Sequence, residues 1–291
     1  MTGEPKTSTS GEIRRHGQVA PGEPTGAASS IPALVIALLA FLCLVVGFAS
    51  LDVSWQRIFS GFGELGRIAG MMVPPTFGTT SRLLLWTHAL FETLAIAFLG
   101  TLLAAVLALP LGFLAARNVM PVWLFRFSLR RGLDGFRGID TLIWALIWIN
   151  VVGLGPFAGV LAIMTSDVGA FGKLFSEAIE AADQKPGEGV LSTGGSELHR
   201  VRFALLPQVL PVLLSQVLYY FESNTRSATI IGIVGAGGIG LHLAEQIRTL
   251  EWHHVSFIVL MILVTVAIID YLSAQIRFAV IAAPSAGASA S

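Results

Sequence analysis

The amino-acid sequence predicts an all-helical membrane protein of about six transmembrane helices, and three observations lead there. Of its 291 residues, 54% are hydrophobic and only 12% charged, about half the charged share of an ordinary soluble domain, so the chain cannot cover itself with polar groups in water. Long apolar runs recur, each near the ~20 residues with which a helix crosses a hydrocarbon core of ~30 Å. Hydrophilic residues gather in the tails and in short loops, one of them bracketed by prolines. The formal net charge is zero, which gives no electrostatic reason to expect nucleic acid. The single cysteine, Cys43, allows no internal disulfide and no Cys-based zinc site.

Residues 1–30 and 281–291 are rich in Gly, Pro, Ser, Thr and Ala, lack an apolar period, and read as disordered tails around a membrane region of residues 31–280. The first span is expected over residues 32–50, a retained anchor because no small-residue cleavage site ends it. A second, over residues 83–116, is longer than a bilayer needs and must tilt or project. A third (139–155) and a fourth (156–180) meet at the sequence GLGPF, where Pro156 behind two glycines favours a tight reversal. Asp167 and Lys173 interrupt the fourth. The fifth is expected over residues 204–224 and the sixth over 255–276. Residues 55–72 and 241–250 read as interfacial helices.

Six spans put both termini on one side. Arg57, Arg67, Arg82, Arg226 and Arg248 then fall on the other, and the remaining 13 of the 18 basic residues collect with the termini. The positive-inside rule makes that side cytoplasmic. The loop at 183–203 is then cytoplasmic too.

Gly235, Gly237 and Gly240 have the G-x-G-x-x-G spacing of a dinucleotide fingerprint, after a β-prone run and before a helical pattern. That fingerprint also needs an acidic residue about 20 positions on, and residues 255–269 contain no carboxylate. Glycines between two spans are better read as sites of close backbone packing or turning, tolerated at membrane depth only where protein or a polar cavity surrounds them. No nucleotide cofactor is expected. His242, His253 and His254 read as interfacial side chains, and their spacing argues for no metal site.

The hydrophilic loop reads DQKPGEGVLSTGGSELHRVRFALLPQVLP, with Pro186 before and Pro207 and Pro211 behind a short helical stretch. On spacing alone it is either a docking knob or a solvated connector. Its pattern is similar to the EAA loop of ABC importer permeases, E-A-A, three residues, G, nine residues, I, one residue, L-P. Here the positions hold Glu188, Gly189, Val190, then Gly194, then Ala204, Leu206 and Pro207, so spacing is kept while Gly189, Val190 and Ala204 depart from the pattern. The runs at 108–118, 153–163, 172–180 and 219–240 narrow the resemblance to the permease subunit of phosphonate-type importers, over about residues 80–280.

This resemblance implies a path shared with a second permease chain, identical or paralogous. It implies a cytoplasmic ABC ATPase dimer docked on Glu188, Gly189, Gly194, Leu206 and Pro207, and an extracytoplasmic solute-binding protein. The chain has no G-x-x-x-x-G-K-[ST] phosphate loop of its own. Glu222, Asn224 and Arg226, near the end of the fifth expected span, are candidates for the translocation path, because ionisable groups close to membrane depth face a partner or water. The bland alternative is a self-neutralising Glu222–Arg226 pair at i, i+4. Asp140, Thr141, Ser166 and Asp167 depart from the family pattern, which has a proline and an acidic residue at the first two and a histidine at Ser166. The expected solute is phosphonate or a related oxyanion, with an amino-acid-type importer as runner-up. A membrane enzyme would need a cluster of catalytic carboxylates or histidines, which the sequence does not display; a purely structural subunit is the third class.

Overall fold

A computed structural model describes residues 30–51 and 54–288, and every regular element there is helical. The N-terminal tail, but for its last residue, lies outside these described residues. The chain divides into two units, Met1–Glu64 and Leu65–Ser291. The first holds α1, Ser30–Ser50, and most of α2, Trp55–Met71. α1 buries nothing over Ala33–Ser50, as suits a helix apolar on every side and solvated by lipid. α2 is amphipathic and also buries none of its residues.

The second unit is built on three long helices, α3 (Thr80–Ala115), α6 (Pro156–Ala181) and α9 (Leu206–Ile233). Between apolar helices in lipid the hydrophobic effect supplies little drive, so close van der Waals packing between small residues must hold them. α3 and α6 meet that way. A β-carbon on Gly100 would lie 2.7 Å from Ile163 Cβ, and one on Gly112 the same distance from Phe175 Cβ. The buried residues form three layers along α3. Trp86 and Ala89 pack with Ile239 and Ile258. Ile96 and Ala97 pack with Ala162, Ile163 and Ala228. Ala104 and Ala108 pack with Phe171, Phe175, Leu205 and Val209. α11, Trp252–Ala288, lies against α9 and α10 (Ile239–Arg248). It continues through residues 281–288, part of the stretch read above as a tail, although Pro284 and Gly287 are poor helix formers.

Among the described residues five helices are long and apolar enough to cross a membrane, or six if one bent pair forms a single span. The third expected span, 139–155, is the point of difference. Only Thr141–Val152 is helical there (α5), about 18 Å at 1.5 Å per residue, too short to cross alone. It completes a span only together with the amphipathic α4, Trp123–Arg137, from which it bends by 87°. The apolar run misled because it includes the turn: Gly153 (φ +90°) and Gly155 (φ +133°) reverse the chain into Pro156. The fifth expected span also changes. α9 runs on to Ile233, so Glu222, Asn224 and Arg226 sit in the body of that helix.

The glycines at 235–240 form a clamped turn between α9 and α10, and the β-prone run before them is the end of α9. Gly235, Gly237 and Gly238 have φ of +105°, +83° and +74°. Gly238, the N-cap of α10, has no side chain to satisfy the first N–H groups, and α3 supplies the acceptors instead. The Gly238 N–H donates to Glu92 Oε1 (3.0 Å) and the Ile239 N–H to Thr93 Oγ1 (2.8 Å). The Gly155 N–H donates to the Gly235 carbonyl (3.0 Å), which ties the α5–α6 reversal to the same turn. A cap borrowed from another helix satisfies the orphan donors of α10 where water is scarce.

Candidate functional site

The loop between α6 and α9 folds into two short helices, α7 (Lys185–Ser192) and α8 (Glu197–His199). Pro186 stands in the first turn of α7, where its missing N–H costs nothing. Gly194 ends the helix with φ +87°. Its N–H donates to the Leu191 carbonyl (3.0 Å) and that of Gly195 to the Val190 carbonyl (3.2 Å), the paired bonds of a Schellman cap. Glu188, Gly189 and Gly194 are exposed, and a β-carbon on Gly189 or Gly194 would meet nothing within 4 Å. α7 thus presents an open face.

Leu206 and Pro207 belong to a different helix, at the start of α9. The prolines do not sever the loop from the span as their bracketing suggests: Glu197–Ile233 runs on as one rod through a π-helical stretch, Arg200–Leu205. The wider turn gives the Pro207 ring room that a regular helix would deny it.

Arg200, one of the basic residues on the expected cytoplasmic side, anchors the loop. Its guanidinium donates to the Asn118 carbonyl beyond α3 (2.8 Å), to Gln184 Oε1 before α7 (3.3 Å) and to Glu197 Oε2 (2.6 Å). Gly187 is buried beneath its stem, where a β-carbon would lie 3.1 Å from Arg200 Cγ. Gln208 at the foot of α9 adds a reciprocal pair with the Asp183 backbone (3.2 and 3.3 Å). α7 is therefore tied to the ends of α3, α6 and α9.

The three polar residues of α9 do not act as one group. Asn224 is 4% exposed and turns inward, donating from Nδ2 to Asp167 Oδ2 on α6 and to Thr101 Oγ1 on α3 (2.8 Å). Thr101 in turn donates to the Ala97 carbonyl (2.7 Å). This chain of hydrogen bonds joins the three core helices through a carboxylate that is itself 5% exposed. Glu222 and Arg226 point the other way, to α11. Arg277 donates to Glu222 (3.1 Å), Arg226 lies 3.7 Å from Glu222, and Arg226 donates to Asp270 (3.4 Å). The charges cancel in a row of two guanidinium and two carboxylate groups. Arg226 and Arg277, assigned by the expected spans to opposite sides, thus share one carboxylate, so the two do not stand on opposite sides of a membrane.

Among the described residues no three His, Cys, Asp or Glu side chains come together as metal ligands. Asp140, one of the four expected departures from the family pattern, caps α5, accepting from the Leu142 N–H at 2.8 Å, while Thr141 donates to Ser166.

Similarity to known proteins agrees with this architecture. Residues 108–280 match the family described as "Binding-protein-dependent transport system inner membrane component". The phosphite transport system permease protein PtxC of Stutzerimonas stutzeri is 36% identical over 245 residues, 84% of this chain and 86% of that one. The phosphate-import permease protein PhnE of Mycolicibacterium smegmatis is 37% identical over 233 residues, 80% of this chain but only 43% of that longer protein. A solved structure titled for inward-facing conformations of the MetNI methionine ABC transporter has a TM-score of 0.60 at 21% identity, covering 69% of this chain and 99% of that one, a likeness of fold alone. The match over residues 108–280 and the relatives aligned along most of its length make this chain a member of the binding-protein-dependent transport family, a permease subunit of an ABC importer and not an enzyme.

Proposed function

We propose that the chain, with a second permease chain, forms the path by which phosphonate or a related phosphorus oxyanion such as phosphite or phosphate enters the cell. A cytoplasmic ABC ATPase dimer drives it through α7, and an extracytoplasmic solute-binding protein delivers the solute. The solute assignment rests on one observation, identity of 36–37% over four fifths of the chain to permeases named for phosphite and phosphate. The coupling assignment is supported by α7, whose exposed Glu188–Gly189 face is backed by the Arg200 anchor. Along α9, Arg226 has the more open side chain, 47% exposed against 14% for Glu222, and a passing anion would compete with Glu222 and Asp270 for its guanidinium. Guanidinium and phosphorus oxyanions match bidentately. Asn224 stiffens the wall behind it.

Co-expression with an ATPase and binding protein from the same locus, in cells without phosphite or phosphonate uptake, tests the solute. Labelled phosphite, methylphosphonate or phosphate should accumulate in an ATP-dependent manner and methionine should not. Uptake of methionine with none of the three oxyanions would move the chain to the amino-acid branch.

We also propose that both termini and α7 face the cytoplasm, a reading supported by the gathering of basic residues near α7. In a Cys43→Ala background, Ser196→Cys should react with a membrane-impermeant thiol reagent in inverted vesicles and stay unlabelled in intact cells. Labelling in intact cells would reverse the orientation.

A further inference from the structure

α4 carries a charged surface apart from the loop and the α9 residues described above. A cleft of about 410 Å³ is lined by Arg117, Trp123, Arg126, Phe127, Arg130 and Arg131. Four guanidinium groups meet there, and two carboxylates answer them. Glu180 at the end of α6 pairs with Arg117 (3.3 Å) and Arg130 (2.5 Å), and Asp134 with Arg131 (3.1 Å). Among the described residues two positive charges remain there, and Arg126 donates to a carbonyl oxygen, that of Met120 (3.1 Å). The rim is aromatic: Trp123 stacks on Phe127 at 5.5 Å and Arg131 lies over the Phe127 ring. Trp123, Leu124, Phe125 and Phe127 are all exposed.

Position supplies the rest of the argument. The cleft lies where Arg117, just past α3, and Glu180, in the last turn of α6, come together. The ends of two long apolar helices mark a membrane–water boundary, the depth at which tryptophan and arginine collect. We propose that this cleft binds the phosphodiester headgroup of an anionic phospholipid, whose acyl chains lie along the exposed apolar side of α4. Excess positive charge complements the headgroup, and the apolar rim matches the tails of a lipid better than it matches a small hydrated anion or a water-facing protein.

Native mass spectrometry of the full chain in detergent, with phosphatidylglycerol or phosphatidylcholine added, tests this. Phosphatidylglycerol adducts should exceed phosphatidylcholine adducts. The double variant Arg126→Gln/Arg131→Gln spares the two arginines that hold Glu180, and should lower phosphatidylglycerol retention by roughly fivefold for each arginine removed. Its phosphatidylcholine adducts should be unchanged, which reports intact folding, and Arg126→Lys/Arg131→Lys should keep most of the preference. Equal retention of the two lipids, or a Gln pair that binds phosphatidylglycerol like wild type, overturns the proposal. So does a Lys pair that fails as fully as the Gln pair. Displacement of the lipid by millimolar inorganic phosphate would assign the cleft to a free oxyanion, and loss of the ATPase on co-purification with lipid binding intact would assign it to a protein partner; either result rejects a headgroup site.

Discussion

Gly237→Leu should abolish the folded permease. Gly237 has φ +83°, a conformation that costs an L residue roughly 1–2 kcal/mol. Its added β-carbon would lie 2.6 Å from Glu92 Oε1 and 3.0 Å from the Pro156 nitrogen. The branched side chain must therefore displace the carboxylate that caps Gly238 or push apart the α5–α6 reversal. Overpacking of this kind costs about 1–3 kcal/mol, and a stranded buried N–H about as much again. Together these come to about 3–8 kcal/mol, comparable to the lower part of the roughly 5–15 kcal/mol by which an ordinary domain is stable. Detergent-solubilised Gly237→Leu should give less than about a tenth of the wild-type monodisperse peak on size exclusion. Gly132→Ala is the control, because a β-carbon there meets nothing within 4 Å in helix α4. A Gly237→Leu protein that elutes and transports like wild type would show that the turn tolerates a side chain and that the clamp is unimportant.

The glycine turn illustrates what the sequence made legible and what it concealed. Glycine count and spacing announced a close backbone approach, but not its partners, since Glu92 and Thr93 stand 146 residues away from the groups they cap. The same limit hid the Thr101–Asn224–Asp167 chain, whose members come from three helices. A signal for it did exist. α6 has the lowest hydropathy of the five span candidates and the largest buried share, 56%. A helix enclosed by other helices need not be as apolar as one facing lipid, so the polar interruptions that made residues 156–180 a weak span in the sequence mark it as central. Grouping Glu222, Asn224 and Arg226 as one site ignored helix geometry. Residues two apart point to nearly opposite faces while those four apart share one, and the structure sorts them accordingly, Glu222 and Arg226 to α11 and Asn224 to α3 and α6. The loop was the most legible part, because Pro186 and Gly194 fix the start and end of α7 by local backbone chemistry alone. Arg200 was not, because its partners at Asn118 and Gln184 become neighbours only in the fold.

Gly194→Asp should leave the permease inserted and abolish transport. The ends of α7 are fixed from within the chain, by Arg200 on one side and the Schellman cap on the other, while its exposed face is free. If the ATPase docks there, the energy of ATP binding reaches α3, α6 and α9 only through that contact. Aspartate at φ +87° strains the cap by about 1 kcal/mol, and its carboxylate adds a charge at the docking face, where a mispaired charged group costs roughly 1–3 kcal/mol. Neither penalty touches the core, since a β-carbon at Gly194 meets nothing within 4 Å. Membrane levels should match wild type, while ATPase retention on co-purification falls about tenfold or more, the factor that ~1.4 kcal/mol commands. Gly194→Asn separates the two causes. Asparagine tolerates the left-handed region better than most residues and carries no charge, so it should keep most of the transport that aspartate loses. Glu188→Ala should do less than Gly194→Asp, as a first-turn carboxylate contributes only about 0.3–1 kcal/mol through the helix dipole. Wild-type uptake and full ATPase coupling in Gly194→Asp would make α7 a connector, and the force on the spans would have to enter elsewhere.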